Sequence, residues 1–309
     1  MAHESNKAIV AAIVGNFAVA VVKFITAGIT GSSAMFSEGI HSVVDTGDGL
    51  LLYLGIKRSL RPPDSEHPFG YGKELYFWSL VVAMMIFAVG GGVTVYEGIR
   101  HVRKPEPIED VGWTYGALAA AAVFEGAACF IAYRQFRKAA GQQPLWRAIR
   151  RSKDPTTFTV LIEDTAALIG IVIAFLGIGA AQLFNLPAMD GVASIVIGCL
   201  LGCVALLLGR ECMSLLVGEG ADPSTLKRIR AIAERQNGVI QVDAPLTMYF
   251  GPDAMMVTME VSFRQSASIR EIADSTGVME RQLREEFPKI KRVFISPKLA
   301  EGRFATSAR

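Results

Sequence analysis

Six apolar stretches, each of about 20 residues or more, fill most of this chain up to about Val217. In hydrocarbon a backbone must satisfy its own N–H and C=O groups, so stretches of this kind form membrane-crossing helices. The predicted crossings are Ala8–Thr30, Ala34–Ile56, Leu75–Ile99, Trp113–Ala132, Phe158–Leu183 and Met189–Leu216. Of the 309 residues, 51% are hydrophobic and only 19% are charged, which is low for a soluble protein. The first stretch is long enough to span, and no small-residue cleavage site ends a shorter core. It therefore reads as a retained helix and not a signal peptide.

The second stretch carries Glu38, His41, Asp45 and Asp48 in an otherwise apolar context. Their steps are three, four and three, which puts all of them on one helix face. Ionisable groups are costly inside a bilayer, so they tend to pair, bind something or line a pathway. An imidazole beside carboxylates suits a borderline divalent metal such as Zn²⁺. The fifth stretch adds Glu163 and Asp164. Adjacent helical residues point about 100° apart, so one of the two is expected to face the second helix squarely. The competing reading is a structural network in which these charges only neutralise one another. Glu125 in the fourth stretch reads as a proton relay, a partner for Glu163 or a structural hydrogen-bonding group. Asp48 is expected to line the cytoplasmic approach, Glu38 the outer side, and Lys23 to snorkel or neutralise a carboxylate.

Basic residues collect in two loops: Lys57, Arg58, Arg61 and Lys73, then Arg134, Arg137, Lys138, Arg147, Arg150, Arg151 and Lys153. The short turns Gly31–Ser33 and Asn185–Ala188 have none. By the positive-inside rule both termini are expected in the cytoplasm. In the remaining loop, Arg100, Arg103 and Lys104 are balanced by Glu106, Glu109 and Asp110, and His101 reads as a solvated loop residue. The clustered basic charge makes no case for nucleic-acid binding. Cys129, Cys199, Cys203 and Cys212 lie in apolar segments and imply no disulfide framework.

After Gly218 the pattern becomes that of a small soluble domain. Asp222-Pro223 starts a helix, Val239–Phe250 reads as extended, and Met255 to Phe263 alternate as a strand. Ser268 and Glu271 form a capping box, and Val293–Ser296 is a last short strand. The order αββαβ suggests a compact ferredoxin-like domain. The fold class is therefore an α-helical polytopic membrane protein with six transmembrane helices, residues 1–217. A C-terminal α+β ferredoxin-like cytoplasmic domain follows over residues 218–309, with a disordered tail from about 299.

The run Gly31-Ser32-Ser33-Ala34-Met35-Phe36-Ser37-Glu38-Gly39-Ile40-His41-Ser42-Val43-Val44-Asp45 resembles the second helix of the cation diffusion facilitator family. The loop Pro62-Pro63-Asp64-Ser65-Glu66-His67-Pro68-Phe69-Gly70-Tyr71-Gly72-Lys73-Glu74 is similar to that family's cytoplasmic loop. The resemblance covers about residues 8–297. It implies a homodimeric divalent-metal/proton antiporter, commonly for Zn²⁺, dimerising through the cytoplasmic domain and membrane helices. Carried over, the transport site is His41 and Asp45 with Val160 and Asp164. Val160 cannot ligate, and Glu163 or water would complete the shell; the Leu/Ile-Glu-Asp run resembles a branch with bacterial and mitochondrial members. In the loop, Asp64 and His67 match a second metal site of some relatives, but Tyr71 stands where the last His would be. The soluble domain has no His, so it is expected to dimerise and not to sense metal.

The expected activity is export of a divalent transition metal, Zn²⁺ first and Fe²⁺, Co²⁺ or Mn²⁺ as rivals, in exchange for protons across a bilayer. A bacterial inner membrane is the expected location. The metal is cargo, and no prosthetic group is expected. Two rival readings are a non-transporting partner subunit, marked by Val160, and an intramembrane metalloenzyme, for which no HExxH motif or other hydrolytic constellation is present.

Overall fold

The computed structural model describes residues 2–105, 107, 110–141 and 143–300. Glu106, Glu109 and the expected tail beyond residue 300 lie outside the described residues. The chain divides into two compact units: Met1–Ser59 with Glu74–Met213, and Leu60–Lys73 with Ser214–Arg309. The loop of residues 60–73, which the sequence reading left with the membrane helices, thus belongs to the C-terminal unit.

The first unit is built from α1 (Ala2–Thr30), α2 (Ser33–Ser59), α3 (Glu74–Met85), α4 (Thr94–Arg103), α5 (Val111–Ala140), α6 (Leu145–Arg151), α7 (Pro155–Leu183) and α8 (Ala188–Val217). Among the described residues, five helical spans are long and apolar enough to cross a membrane: Ile13–Thr30, Glu74–Arg103, Val111–Lys138, Pro155–Leu183 and Ala188–Val217. The remaining expected crossing, α2, is 27 residues long but carries the charged stripe. Large apolar side chains on the outer faces are exposed, among them Phe17, Phe124, Leu176 and Leu206. In an integral membrane protein such a surface meets lipid.

Three local features were not legible beforehand. The predicted third crossing is not uniform: Ile86–Val93 winds as a π-helix between α3 and α4, at Gly90, Gly91 and Gly92. Helix α6 is an extra short helix in the basic fourth-to-fifth connection. The third feature is close packing of α4 on α8. A Cβ at Gly98 would lie 2.8 Å from the Gly191 carbonyl oxygen, so glycine lets the two backbones touch.

Helix α2 starts on a tertiary cap. Asp190 of α8 accepts hydrogen bonds from Ser32 Oγ at 2.9 Å and from the backbone N–H groups of Ser33 at 2.5 Å and Ala34 at 3.3 Å. A carboxylate satisfies otherwise orphaned donors at a helix N-terminus and complements its dipole. Ser33 Oγ also lies 2.8 Å from Ser194 Oγ. This capping role joins residues far apart in the chain and is not visible in the local sequence around Asp190. His101 was expected to be solvated, yet it is buried on the last turn of α4, with Nε2 3.8 Å from Asp190 Oδ2.

The second unit contains α9 (Pro223–Glu234), β1 (Val239–Val242), β2 (Leu246–Gly251), β3 (Ala254–Phe263), α10 (Ile269–Glu286) and β4 (Ile290–Leu299). β1 and β2 both pair antiparallel with β3, while β4 pairs parallel with it. The single extended run expected over Val239–Phe250 is thus two strands. Pro245, which has no N–H to donate, lies between them. The expected short strand at Val293–Ser296 is the middle of the ten-residue β4. Met255, Val257, Met259, Val261 and Phe263 point into the core, against Ile229, Met279 and Leu283. In the loop that joins this unit, the Phe69 ring stacks on Phe250 at 4.8 Å.

Asp222 caps α9 through four hydrogen bonds, from the backbone and side chains of Ser224 and Thr225. Partial burial opposes its ionisation, but those bonds outweigh it and pull the carboxyl down to about 2. Its contribution is therefore complete above the ordinary carboxylate range and is lost as pH falls through about 2. Asp222→Ala is expected to cost about 1 kcal/mol of stability at pH 7. In chemical unfolding of the full-length protein followed on the C-terminal unit, the difference from the parent should shrink as pH is lowered from about 4 toward 2.

Candidate metal site

Helices α2 and α7 pack side by side, and the ionisable residues collect on that seam. His41 is 2% exposed and stands one turn from Asp45, with Nδ1 3.4 Å from Asp45 Oδ1. Neither His41 ring nitrogen has a hydrogen-bond partner among the described residues. Across the seam the two adjacent acids of α7 both lie within electrostatic reach of Asp45, and Glu163 within reach of Asp48 as well. Glu163 interacts most strongly with Asp48 and then Asp45. Asp164 interacts first with Asp45 and then with Glu125.

Buried polar atoms normally find partners, and here several do not. Asp45 Oδ1, both Asp48 carboxylate oxygens, Glu163 Oε1 and Asp164 Oδ2 lack a hydrogen-bond partner among the described residues. Apart from the hydrogen bond that a shared proton makes between Asp48 and Glu163, the seam therefore presents oxygen and nitrogen lone pairs to a cation. Among the described residues, however, no three His, Cys, Asp or Glu side chains are close enough together to hold an ion. The donors are gathered but not closed into a cage. Val160, one turn before Asp164 on α7, is 39% exposed and supplies no donor.

Glu38 and Glu125, placed by sequence on a pathway, meet at Lys23 of α1. Lys23 is 1% exposed, so it does not snorkel to an interface. Its Nζ donates to Glu38 Oε2 at 3.1 Å and to Ser42 Oγ at 2.9 Å, and lies 3.7 Å from Glu125 Oε1. Glu38 is wedged against α7, because a Cβ at Gly170 would come within 2.5 Å of Glu38 Oε1.

The loop pair is also brought together, with His67 Nδ1 3.5 Å from Asp64 Oδ1. Asp64 already has work there. It accepts from the Glu66 and His67 backbone N–H groups at 3.1 and 2.7 Å and from the Tyr71 hydroxyl at 2.6 Å. The Tyr71 hydrogen bond, helped by the His67 amide, holds the Asp64 carboxyl below its ordinary range, and the same bond raises the Tyr71 phenol. His67 packs on the Tyr71 ring at 4.2 Å. The residue at the position of the missing third ligand thus ties down the first. The free thiols are scattered along α5 and α8: Cys199 and Cys203 are exposed, Cys129 is half-buried and Cys212 is buried.

Residues 9–217 match the cation efflux transmembrane domain family. The chain is 33% identical over 260 residues to the human "Proton-coupled zinc antiporter SLC30A9, mitochondrial", covering 84% of this chain and 46% of that protein. It therefore spans less than half the length of that relative. It is 30% identical over 292 residues to "Metal tolerance protein C4" of Arabidopsis thaliana, covering 94% of this chain and 63% of that one. It is 23% identical over 291 residues to "Manganese efflux system protein MneP" of Bacillus subtilis, covering 94% and 95%.

Two outcomes follow from this geometry. Gly170→Ala forces Glu38 or α7 to shift and is expected to cost about 1–3 kcal/mol. Gly126→Ala, where the added carbon would lie 4.0 Å from Leu168, should cost far less; thermal unfolding of the two variants in one detergent compares them. Tyr71→Phe removes the bond that lowers Asp64, so the Asp64 carboxyl should rise toward the usual range in a ¹³C-detected titration.

Proposed function

The chain belongs to the cation efflux family, and from that premise we propose that it exports a divalent transition-metal cation, Zn²⁺ first, in exchange for protons. The observation that carries this reading is the set of unpartnered donors on the α2–α7 seam: His41, Asp45, Asp48, Glu163 and Asp164. A membrane protein that used these groups only for packing would pair them, because an unsatisfied buried polar group costs on the order of 1–3 kcal/mol.

His41, Asp45 and Asp164 hold the ion, and Glu163 supplies the fourth donor in place of the apolar Val160. Binding requires a neutral imidazole and ionised carboxylates, so it releases protons. On the far side, protons return to the same groups, weaken the site and neutralise carboxylates that would otherwise stand empty in a low dielectric. Alternating access moves the helices about a fixed site near the midplane. The open arrangement of donors suits a site that closes around its ion in one state and loosens in another.

In this reading α2 is the sixth crossing, both termini are cytoplasmic, and the C-terminal α+β unit, with its four strands, is a ferredoxin-like domain through which two copies associate in a bacterial inner membrane. Asp48 lines the cytoplasmic approach, and Glu38 and Glu125 flank the site. The imidazole and the similarity to the human zinc antiporter favour Zn²⁺. The carboxylate-rich remainder suits Mn²⁺ or Fe²⁺ better than a Cys- or His-rich site would.

Reconstitution in proteoliposomes with an imposed pH gradient tests the proposal. Gradient-driven Zn²⁺ flux is expected, with Asp45→Ala reducing it by at least the ~10–100-fold that loss of even an outer-shell partner costs. Absence of Zn²⁺, Mn²⁺, Fe²⁺ and Co²⁺ flux from folded protein would overturn it.

A further inference from the structure

Among the described residues, Lys23 is the one Lys or Arg that is buried. It bridges three helices of the first unit: α1 carries it, α2 supplies Glu38 and Ser42, and α5 supplies Glu125. Ser42 directly follows His41. Among the charged groups around Asp45, Lys23 exerts the strongest electrostatic influence. No ion pair joins Lys23 to Asp45, so the ammonium lies close to the metal seam without belonging to it.

From these contacts we infer that Lys23 is a built-in counter-cation that limits how tightly the seam holds its metal, so that the ion can leave. This deepens the transport reading and rests on it. The ammonium and a metal dication repel one another across a poorly screened interior, which makes a fixed cation here a permanent charge against the bound state. Glu38 and Glu125 keep it in place: the two carboxylates flank it, and the Ser42 hydroxyl sets its position beside the ligand helix. Charge balance around the seam is then divided. One positive charge is supplied permanently by Lys23, and the rest comes alternately from metal and protons.

The inference separates a charge role from a merely structural one. Removing only the cation, as in Lys23→Met, leaves Glu38 and Glu125 uncompensated and makes the seam more negative. Metal should bind about tenfold more tightly and leave more slowly, so KM and kcat for Zn²⁺ flux should both fall by comparable factors. Glu125→Gln, which keeps Lys23 and removes a negative charge, should have the opposite sign: weaker binding and a higher KM. The double variant Lys23→Met/Glu125→Gln restores the net charge and should return affinity toward the parent value. A lysine that served only to hold helices together would show no such sign reversal and no rescue.

Equilibrium titration with Co²⁺, read by its visible absorption in purified full-length protein, gives affinity independently of transport. Tighter binding in Lys23→Met, weaker binding in Glu125→Gln and recovery in the double variant support the inference. Where Lys23→Met fails to fold, the Glu125→Gln shift and the double variant still decide it. Unchanged Co²⁺ affinity in Glu125→Gln, or a double variant no closer to the parent than Glu125→Gln is, overturns it. A parent protein that binds no Co²⁺ and carries no metal would instead overturn the transport reading itself.

Discussion

The structure depends on how charge is held inside a membrane-spanning bundle. Ionised groups in a medium of low dielectric are tolerated only when paired or hydrogen-bonded. This chain applies that rule to one set of residues and relaxes it for another. Glu38, Glu125 and Ser42 are tied to Lys23, and Asp190 is fully engaged by the start of α2. On the α2–α7 seam His41, Asp45, Asp48, Glu163 and Asp164 have atoms without hydrogen-bond partners among the described residues, as does the second carboxylate oxygen of Glu38. Both sets occupy the same few helices, so the contrast cannot be explained by depth or solvent access. It distinguishes carboxylates held by named partners from seam atoms that have none among the described residues, the groups the proposed function assigns to the metal.

Helix α2 connects the two sets. Its N-terminus is held from α8 through Asp190 and Ser194, and its flank is held from α1 and α5 through Lys23. Its close approach to α7 is set by Glu38 against Gly170. Only after these constraints does the helix present His41 and Asp45 to the seam. A charged helix in lipid would otherwise be free to rotate its polar stripe toward whichever neighbour offered a partner. Three independent anchors remove that freedom, and they leave the ligand stripe facing α7.

Much of this was legible in the sequence, for identifiable reasons. A three-and-four spacing defines a helix face regardless of context, so the alignment of Glu38, His41, Asp45 and Asp48 could be read directly. Caps are local too, and both Asp222 and the Ser268–Glu271 box sit where expected. What could not be read depends on which helix lies beside which. Asp190 and the amides it caps are more than 150 residues apart. That Glu163 and Asp164 both lie within electrostatic reach of Asp45 is something helix periodicity alone does not say. His101 resembled a loop residue because its neighbours Arg100 and Arg103 are charged, yet α4 continues far enough to bury it. Pro245 was visible in the sequence, but the break it makes between β1 and β2 shows only against the register of β3.

The arrangement also explains why an apolar residue at position 160 is tolerable. A fourth protein ligand there would come from the half-exposed side of α7. Glu163, one residue before Asp164, is instead buried against Asp48 and Asp45. In the proposed site, using Glu163 moves that donor three residues along α7 from position 160 and supplies a carboxylate on a longer, more flexible side chain. A site of that kind has one nitrogen and several oxygens, a softer geometric demand than a tetrahedral cage of histidines, and more negative charge to balance. A fixed ammonium beside it offsets part of that excess. On the proposed reading, Glu163 stands in for the donor that Val160 lacks, and Lys23, held by Glu38 and Ser42, is the buried cation among the described residues that limits the negative charge of this region.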